Sequence, residues 1–205
     1  MKKIKSEGKC IYCGEKFPKS TISRHLEKHF SEETEHSSSS AFHIRAEAGD
    51  YFLNILMDGS KNLKTLDVFL RAIWLECCGH LSAFRYGRNE IGMNRRASDV
   101  FQPGLKLDYE YDFGSTTRLQ IKVISEHSIQ AKEELKLLSR NEPLALICTS
   151  CNKNPAEKIC IVHLDEDDGY YCSGCAKQHA KECDDFDDYA EMPLVNSPRS
   201  GECGY

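Results

Sequence analysis

The chain has 205 residues, of which 40% are hydrophobic and 29% charged, with eleven cysteines and a formal net charge of −5. That length holds one medium domain plus small satellites, and the composition excludes a wholly disordered chain. No apolar run approaches the ~20 residues that cross a bilayer, and Met1-Lys2-Lys3-Ile4-Lys5 lacks the apolar stretch of a signal peptide, so no membrane association and a cytoplasmic, reducing location are expected.

Charge is distributed unevenly. Residues 1–30 hold eight Lys/Arg against three acids, and residues 148–205 hold five against twelve. Opposite signs at the two ends disfavour one continuous nucleic-acid surface. The cysteines occur in Cys-x2-Cys pairs with spaced histidines, which in a reducing compartment read as metal ligands and not as disulfides.

Residues 8–31 form the first expected module. Cys10 and Cys13 flank a tight turn, and His25 and His29, four apart, share one face of a helix. Phe17 and Ile22 supply its few apolar residues. The pattern resembles a Cys2His2 zinc finger, one residue short between Cys13 and His25. The resemblance implies a helix offering Lys19, Thr21 and Arg24 to a nucleic acid, with Lys16 and Lys28 flanking. A lone finger reads only about three base pairs, and the alternative is a zinc-stabilised mini-domain with solvated lysines. Residues 32–41 are polar and serine-rich, so a flexible linker is expected there, with His36 solvated.

Residues 42–140 carry the main domain. Phe42, Ile44, Ala46 and Ala48 alternate as a half-buried strand, Gly49-Asp50 turns, and Tyr51 to Met57 reads as a more fully buried strand. Leu63, Leu66, Phe69, Leu70, Ile73, Trp74 and Cys77 form one helical stripe. Gly79 is a plausible helix stop, and Cys77 and Cys78, adjacent and divergent, read as buried thiols. Leu81 to Tyr86 reads as a strand, and Ala97 to Phe101 as a helical turn. Leu105, Leu107, Tyr109, Tyr111 and Phe113 alternate, and residues 118–124 return as the second arm of a hairpin. Residues 128–140, with Ile129, Leu135 and Leu138, early Glu133 and Glu134 and late Arg140, are expected to form an amphipathic helix stopped by Pro143.

The helix followed by His80-Leu81-Ser82-Ala83-Phe84, and then Tyr109-Glu110-Tyr111-Asp112-Phe113-Gly114, resembles the plasmid pRiA4b ORF-3-like family over residues 42–125. That resemblance implies an α+β domain, a sheet covered by helices, with no activity established for the family as a whole. Where the family usually continues with an acid, a Trp and often a His, this chain has Ser115, Thr117 and Leu119.

Residues 146–185 carry eight ligands: Cys148, Cys151, Cys160, His163, Cys172, Cys175, His179 and Cys183. Four close pairs suit two tetrahedral zinc ions. In an interleaved cross-brace, Cys148, Cys151, Cys172 and Cys175 share one ion, and Cys160, His163, His179 and Cys183 the other. In a sequential wiring the first four ligands share one ion and the last four the second. The cross-brace is preferred, because the spacing, with Tyr171 before Cys172, resembles MYND and B-box modules. Residues 186–205 form an acidic and then Pro/Gly-containing tail, whose Asn-Ser-Pro-Arg ending resembles longer members of the same family and implies an end that docks; Cys203 there is a thiol or a further ligand.

The expected fold class is therefore α+β, a central mixed or antiparallel sheet with packed helices, flanked by two small zinc-stabilised modules. Twelve ligands at four per ion give about three zinc ions per chain. No Ser-His-Asp, Cys-His or phosphate-loop arrangement is present, Glu110 and Asp112 read as a solvated face, and His43 and His127 as surface residues, so no catalytic residue and no enzyme are expected. The expected function is a zinc-binding interaction protein with a protein partner; the alternative is nucleic-acid binding through the basic finger.

Overall fold

The computed structural model describes residues 5–30, 39–75, 78–164 and 168–202. Most of the expected linker with His36, and also Cys77 and Cys203, lie outside the described residues. The chain divides into two compact units, Ser6–Glu142 and Pro143–Tyr205, the second including Met1–Lys5.

The first unit is built on a seven-stranded sheet that is antiparallel throughout. Its strands are β3 (Ala41–Ala48), β4 (Tyr51–Asp58), β5 (Ser82–Tyr86), β6 (Asn89–Ile91), β7 (Lys106–Tyr111), β8 (Thr117–His127) and β9 (Leu135–Arg140). Their spatial order is β6-β5-β7-β8-β3-β4-β9. The α+β class follows directly from the alternating and fully buried runs of the sequence.

One face of the sheet carries the main core. Helix α2 (Leu63–Leu70) starts at Asn62, whose side chain accepts the Thr65 N–H at 3.1 Å, satisfying one of the helix's orphan donors. The chain continues as a π turn, Arg71–Leu75. The wider turn brings the consecutive Trp74 and Leu75 both into full burial. They pack with Leu63, Leu66 and Leu70 on Ile44, Leu53, Ile55, Tyr109 and Ile121, and the short helix α3 (Ala97–Val100) contributes Ala97.

The opposite face, over β3, β4 and β9, is covered by the zinc-finger-like segment. This segment consists of β1 (Glu7–Lys9), β2 (Lys16–Pro18) and α1 (Ile22–Phe30). Ile22, Leu26 and Phe30 of α1 form one apolar cluster with Ala41, Phe52, Leu56 and Leu138 of the sheet, each large side chain worth ~1.5–3 kcal/mol when fully buried. The expected boundary at 32–41 therefore does not separate two compact units: residues 8–31 belong to the same body as the sheet. Strand β3 is expected to be half-buried with His43 at the surface; His43 and Arg45 are instead buried, because the finger lies on them.

Two further expectations change. Residues 128–140 do not form a helix: 135–140 are the edge strand β9, paired antiparallel with β4. Leu135 packs against the main core and Leu138 into the finger-side cluster, so apolar residues on both faces of a strand imitated a helical stripe. The alternation of β7 also stops early. Asp112 takes a left-handed φ of 62°, which turns the chain and leaves Phe113 51% exposed.

The second unit holds a three-stranded sheet in the order β11-β10-β12, formed by β10 (Lys158–Cys160), β11 (Tyr170–Tyr171) and β12 (Glu191–Pro193). Helix α4 (Ser173–His179) follows β11, and a π turn, Phe186–Ala190, precedes β12. The tail beyond Cys183 is thus part of the unit: β12 pairs with β10, and Ser197 and Arg199 are buried. No helix among the described residues is long and apolar enough to cross a membrane.

Candidate metal centres

Among the described residues, twelve Cys and His side chains converge in three groups whose ligand atoms lie within 4.8 Å of one another. They are the twelve singled out in the sequence. The first group is Cys10, Cys13, His25 and His29; the second is Cys148, Cys151, Cys172 and Cys175; the third is Cys160, His163, His179 and Cys183. The grouping in the second unit is the one an interleaved cross-brace requires.

In the first group the turn 10–14 closes by the Gly14 N–H donating to the Cys10 carbonyl at 2.9 Å. Gly14 has φ 76°, open to glycine without a Cβ clash. The second group repeats the device: Asn152 has φ 53° and donates its N–H to the Cys148 carbonyl at 2.9 Å, asparagine being one of the few other residues that tolerate this region. Helix α1 then lifts His25 and His29 toward the turn. Cys13 Sγ lies 3.3 Å from His25 Nε2, His25 Nε2 3.3 Å from His29 Nε2, and Cys10 Sγ 3.6 Å from His29 Nε2. A four-coordinate ion with bonds of ~2.0–2.3 Å would separate its ligand atoms by these same distances. Phe17 stacks on His25 at 3.8 Å and Tyr12 on His29 at 4.8 Å, which fixes both rings. Burial, followed by the neighbouring His29, lowers the His25 pKa and keeps the ring neutral, as a ligand must be.

In the all-cysteine group the thiols differ: a hydrogen bond with Ser150 lowers Cys175, but those with Cys172 and Cys148 outweigh it and push it up to about 11. Backbone N–H groups of Asn154 and Lys153 lower Cys151 to about 6, and the Cys175 N–H lowers Cys172. The third group places Cys160 Sγ 3.2 Å from His163 Nδ1. His179 is stacked on Tyr171 at 4.2 Å and edged by Phe186 at 5.0 Å. Its Nε2 is buried without a hydrogen-bond partner, as expected of an atom aimed at a cation. Four of the eight core residues of this unit, Cys148, Cys160, Cys172 and Cys183, are themselves ligands, so its interior is organised about the ions it can hold.

The five candidate nucleic-acid contacts are split. Lys16 pairs with Glu142 at 2.7 Å, and Lys19 pairs with Glu47 at 3.5 Å and donates to the Gly49 carbonyl. Thr21 Oγ1 donates to the Pro18 carbonyl at 3.2 Å. Arg24 and Lys28 are exposed.

A polar cluster beneath α1 went unread in the sequence. His43 is fully buried, contacts Asn54 Oδ1 at 3.0 Å and donates to Glu27, while His127 lies 3.4 Å from Glu27 and 2.8 Å from Ser125 Oγ. His43 is thus no surface residue, and His127 is half-buried. Burial pushes the Glu27 carboxyl up, but hydrogen bonds from His127, His43 and Ser125 outweigh it and hold it well below the usual carboxylate range. Only a register of helix on sheet brings these residues together, and no local spacing carries that signal. Glu110 is half-buried between Arg85 at 3.0 Å and Arg118 at 3.2 Å. Asp112 is buried, takes the Gly114 N–H at 3.0 Å and sits 3.6 Å from His80. The two carboxylates do not share a solvated strand face, because the strand ends between them. Cys78, expected to be buried, is exposed.

No family model matches the chain, and no curated protein matches it. A crystal structure of a protein of unknown function from Methanosarcina mazei Go1 is similar with a TM-score of 0.40 and 14% identity, over 49% of this chain and 67% of that one.

Proposed function

We propose that the protein is a zinc-dependent, non-enzymatic interaction protein, in which a pRiA4b ORF-3-like α+β domain and a cross-braced zinc unit are presented to a protein partner. One observation carries this reading: each of the three Cys/His groups supplies four ligands. Four protein ligands saturate a tetrahedral zinc and leave no position for a water or substrate, the arrangement of structural rather than catalytic zinc. Sulfur- and nitrogen-rich sets also favour zinc over the oxygen-preferring magnesium and calcium. The buried carboxylate Asp67 is taken up by Lys64, Ser82 and Tyr109, which supports a structural role for it.

A protein partner is favoured over a nucleic acid by the excess of acids after residue 148, which repels phosphate, and by the pairing of Lys16 with Glu142 and of Lys19 with Glu47. Native mass spectrometry of the full chain tests the metal reading. Three zinc ions per chain are expected, and one or none overturns it. A gel-shift titration tests the partner class: steeply salt-dependent binding lost on Arg24→Ala with Lys28→Ala would favour nucleic acid.

A further inference from the structure

We infer that the Cys10–His29 segment is a metal-held lid over β3, β4 and β9, and that docking on the sheet in turn tightens its ion. The inference rests on the reading that Cys10, Cys13, His25 and His29 hold a metal. The lid has two halves, and each grips a different part of the sheet. The hairpin half grips the edge strand: the Ile11 N–H donates to the Leu138 carbonyl at 3.0 Å, and the Glu142 N–H donates to the Glu7 carbonyl at 2.7 Å. Gly8 lies so close that a Cβ there would fall 2.6 Å from Ser139 Oγ and 2.8 Å from the Arg140 carbonyl. The helix half grips the sheet face. Ile22, Leu26 and Phe30 are at most 3% exposed, Ser23 Oγ donates to Asn54 Oδ1 at 2.6 Å, and Glu27 receives His43, Ser125 and His127.

The ion joins these halves, because the cysteines belong to the hairpin and the histidines to the helix. Helix α1 has nine residues, too few to persist alone in water. Loss of the ion therefore releases the grip on the face and on the edge together. The uncovered surface would be Phe52 and Leu56 with His43, Arg45 and Asn54. Trp74 and the main core lie in a separate apolar cluster on the other side of the sheet, so the lid opens without unfolding that core. Linkage makes the coupling reciprocal: whatever the ion contributes to docking, docking contributes to ion affinity.

The test uses the full chain, with metals counted by native mass spectrometry and amide exchange read by residue. Cys13 is exposed, so Cys13→Ser removes a ligand without opening a core cavity. It should lose one ion, speed exchange in β9 and β4 by about ten-fold or more, and leave β7 and its partner positions in β8 unchanged. Loss of the ion with β9 protection unchanged overturns the lid alone, and so does collapse of all protection in residues 6–142. A wild-type chain without an ion at this group overturns the metal reading and the lid with it. Glu27→Ala keeps all four ligands; it should weaken this ion about ten-fold or more against a chelator while the other two hold, and equal affinity would overturn the reciprocal coupling.

Discussion

Asp67 offers the sharpest test of how the sheet domain is held. Its side chain is fully buried beneath α2, where Ser82 Oγ, Tyr109 OH at 2.8 Å and Lys64 Nζ at 2.7 Å all donate to it. Burial pushes the carboxyl up, but Lys64, Ser82 and Tyr109 outweigh it and hold Asp67 below the ordinary range. Asp67→Ala removes all three acceptor contacts. Lys64 is half-exposed and regains water, whereas the buried Tyr109 hydroxyl keeps only Ser82 beside it. Losing the charge-assisted bonds from Ser82 and Tyr109, at about 1.5–3 kcal/mol each, gives a destabilisation of about 3–5 kcal/mol. Trp74 is the single tryptophan and lies in the same core, so urea unfolding followed by its fluorescence reports this unit. Tyr109→Phe, which removes one bond, should cost about 1–2 kcal/mol, and the double variant should lose less than the sum. The sign with pH is fixed by the lowered folded pKa. The contribution of Asp67 is present above its unfolded value of about 3.9 and is lost as pH falls through the folded pKa, so the wild type should lose stability on acidification while Asp67→Ala loses less. A loss below about 1 kcal/mol, or strict additivity with Tyr109→Phe, would refute the network.

Three other outcomes are expected. Cadmium-113 substitution should give one all-thiolate resonance and two of mixed sulfur–nitrogen coordination, from the groupings about Cys148, Cys10 and Cys160; two three-sulfur sites in the second unit would refute the cross-brace. Gly8→Ala should destabilise the sheet domain by about 1–3 kcal/mol through overpacking against Ser139 and the Arg140 carbonyl, and an unchanged urea midpoint would show that the close approach has slack. Truncation after residue 185 keeps every ligand but removes β12 and Arg199, leaving β10 with an open edge; a lowered melting temperature with aggregation of the metal-loaded chain is expected, and unchanged melting would show that the tail adds nothing.

The metal groups were legible because their signal is local: Cys-x2-Cys turns and His-x3-His or His-x3-Cys helical pairs fix geometry within a few residues. Strands β3, β7 and β8 were legible because alternation reports a face, and β4 because a short continuous apolar run after a turn marks a buried strand. What escaped was set by distant packing. The edge strand β9 looked helical because Leu135 and Leu138, three apart, serve two different cores, one on each side of the sheet. His43 looked solvated because polar alternation in β3 reports a face without saying what lies on it. The finger read as a separate module because its ligand pattern is self-contained, whereas its docking depends on Ile22, Leu26 and Phe30 meeting residues 41–56 and 138. Asp112 illustrates the limit of periodicity: a single left-handed residue ended an alternation that the letters continued.

The interleaving of the second and third groups has a consequence for how the C-terminal unit acquires its ions. An ion held by Cys148, Cys151, Cys172 and Cys175 closes a loop that contains Cys160 and His163, and so draws that pair toward His179 and Cys183. Closing a loop of this size costs about 3 kcal/mol of chain entropy, and the second ion to arrive is spared most of it. The reverse order works equally well, because each ion's loop encloses ligands of the other. Were both groups to take up ions, loading would be cooperative by topology: the singly loaded unit would stay a minority species through a titration, and the unit would respond to free metal over a narrower concentration range than two independent sites.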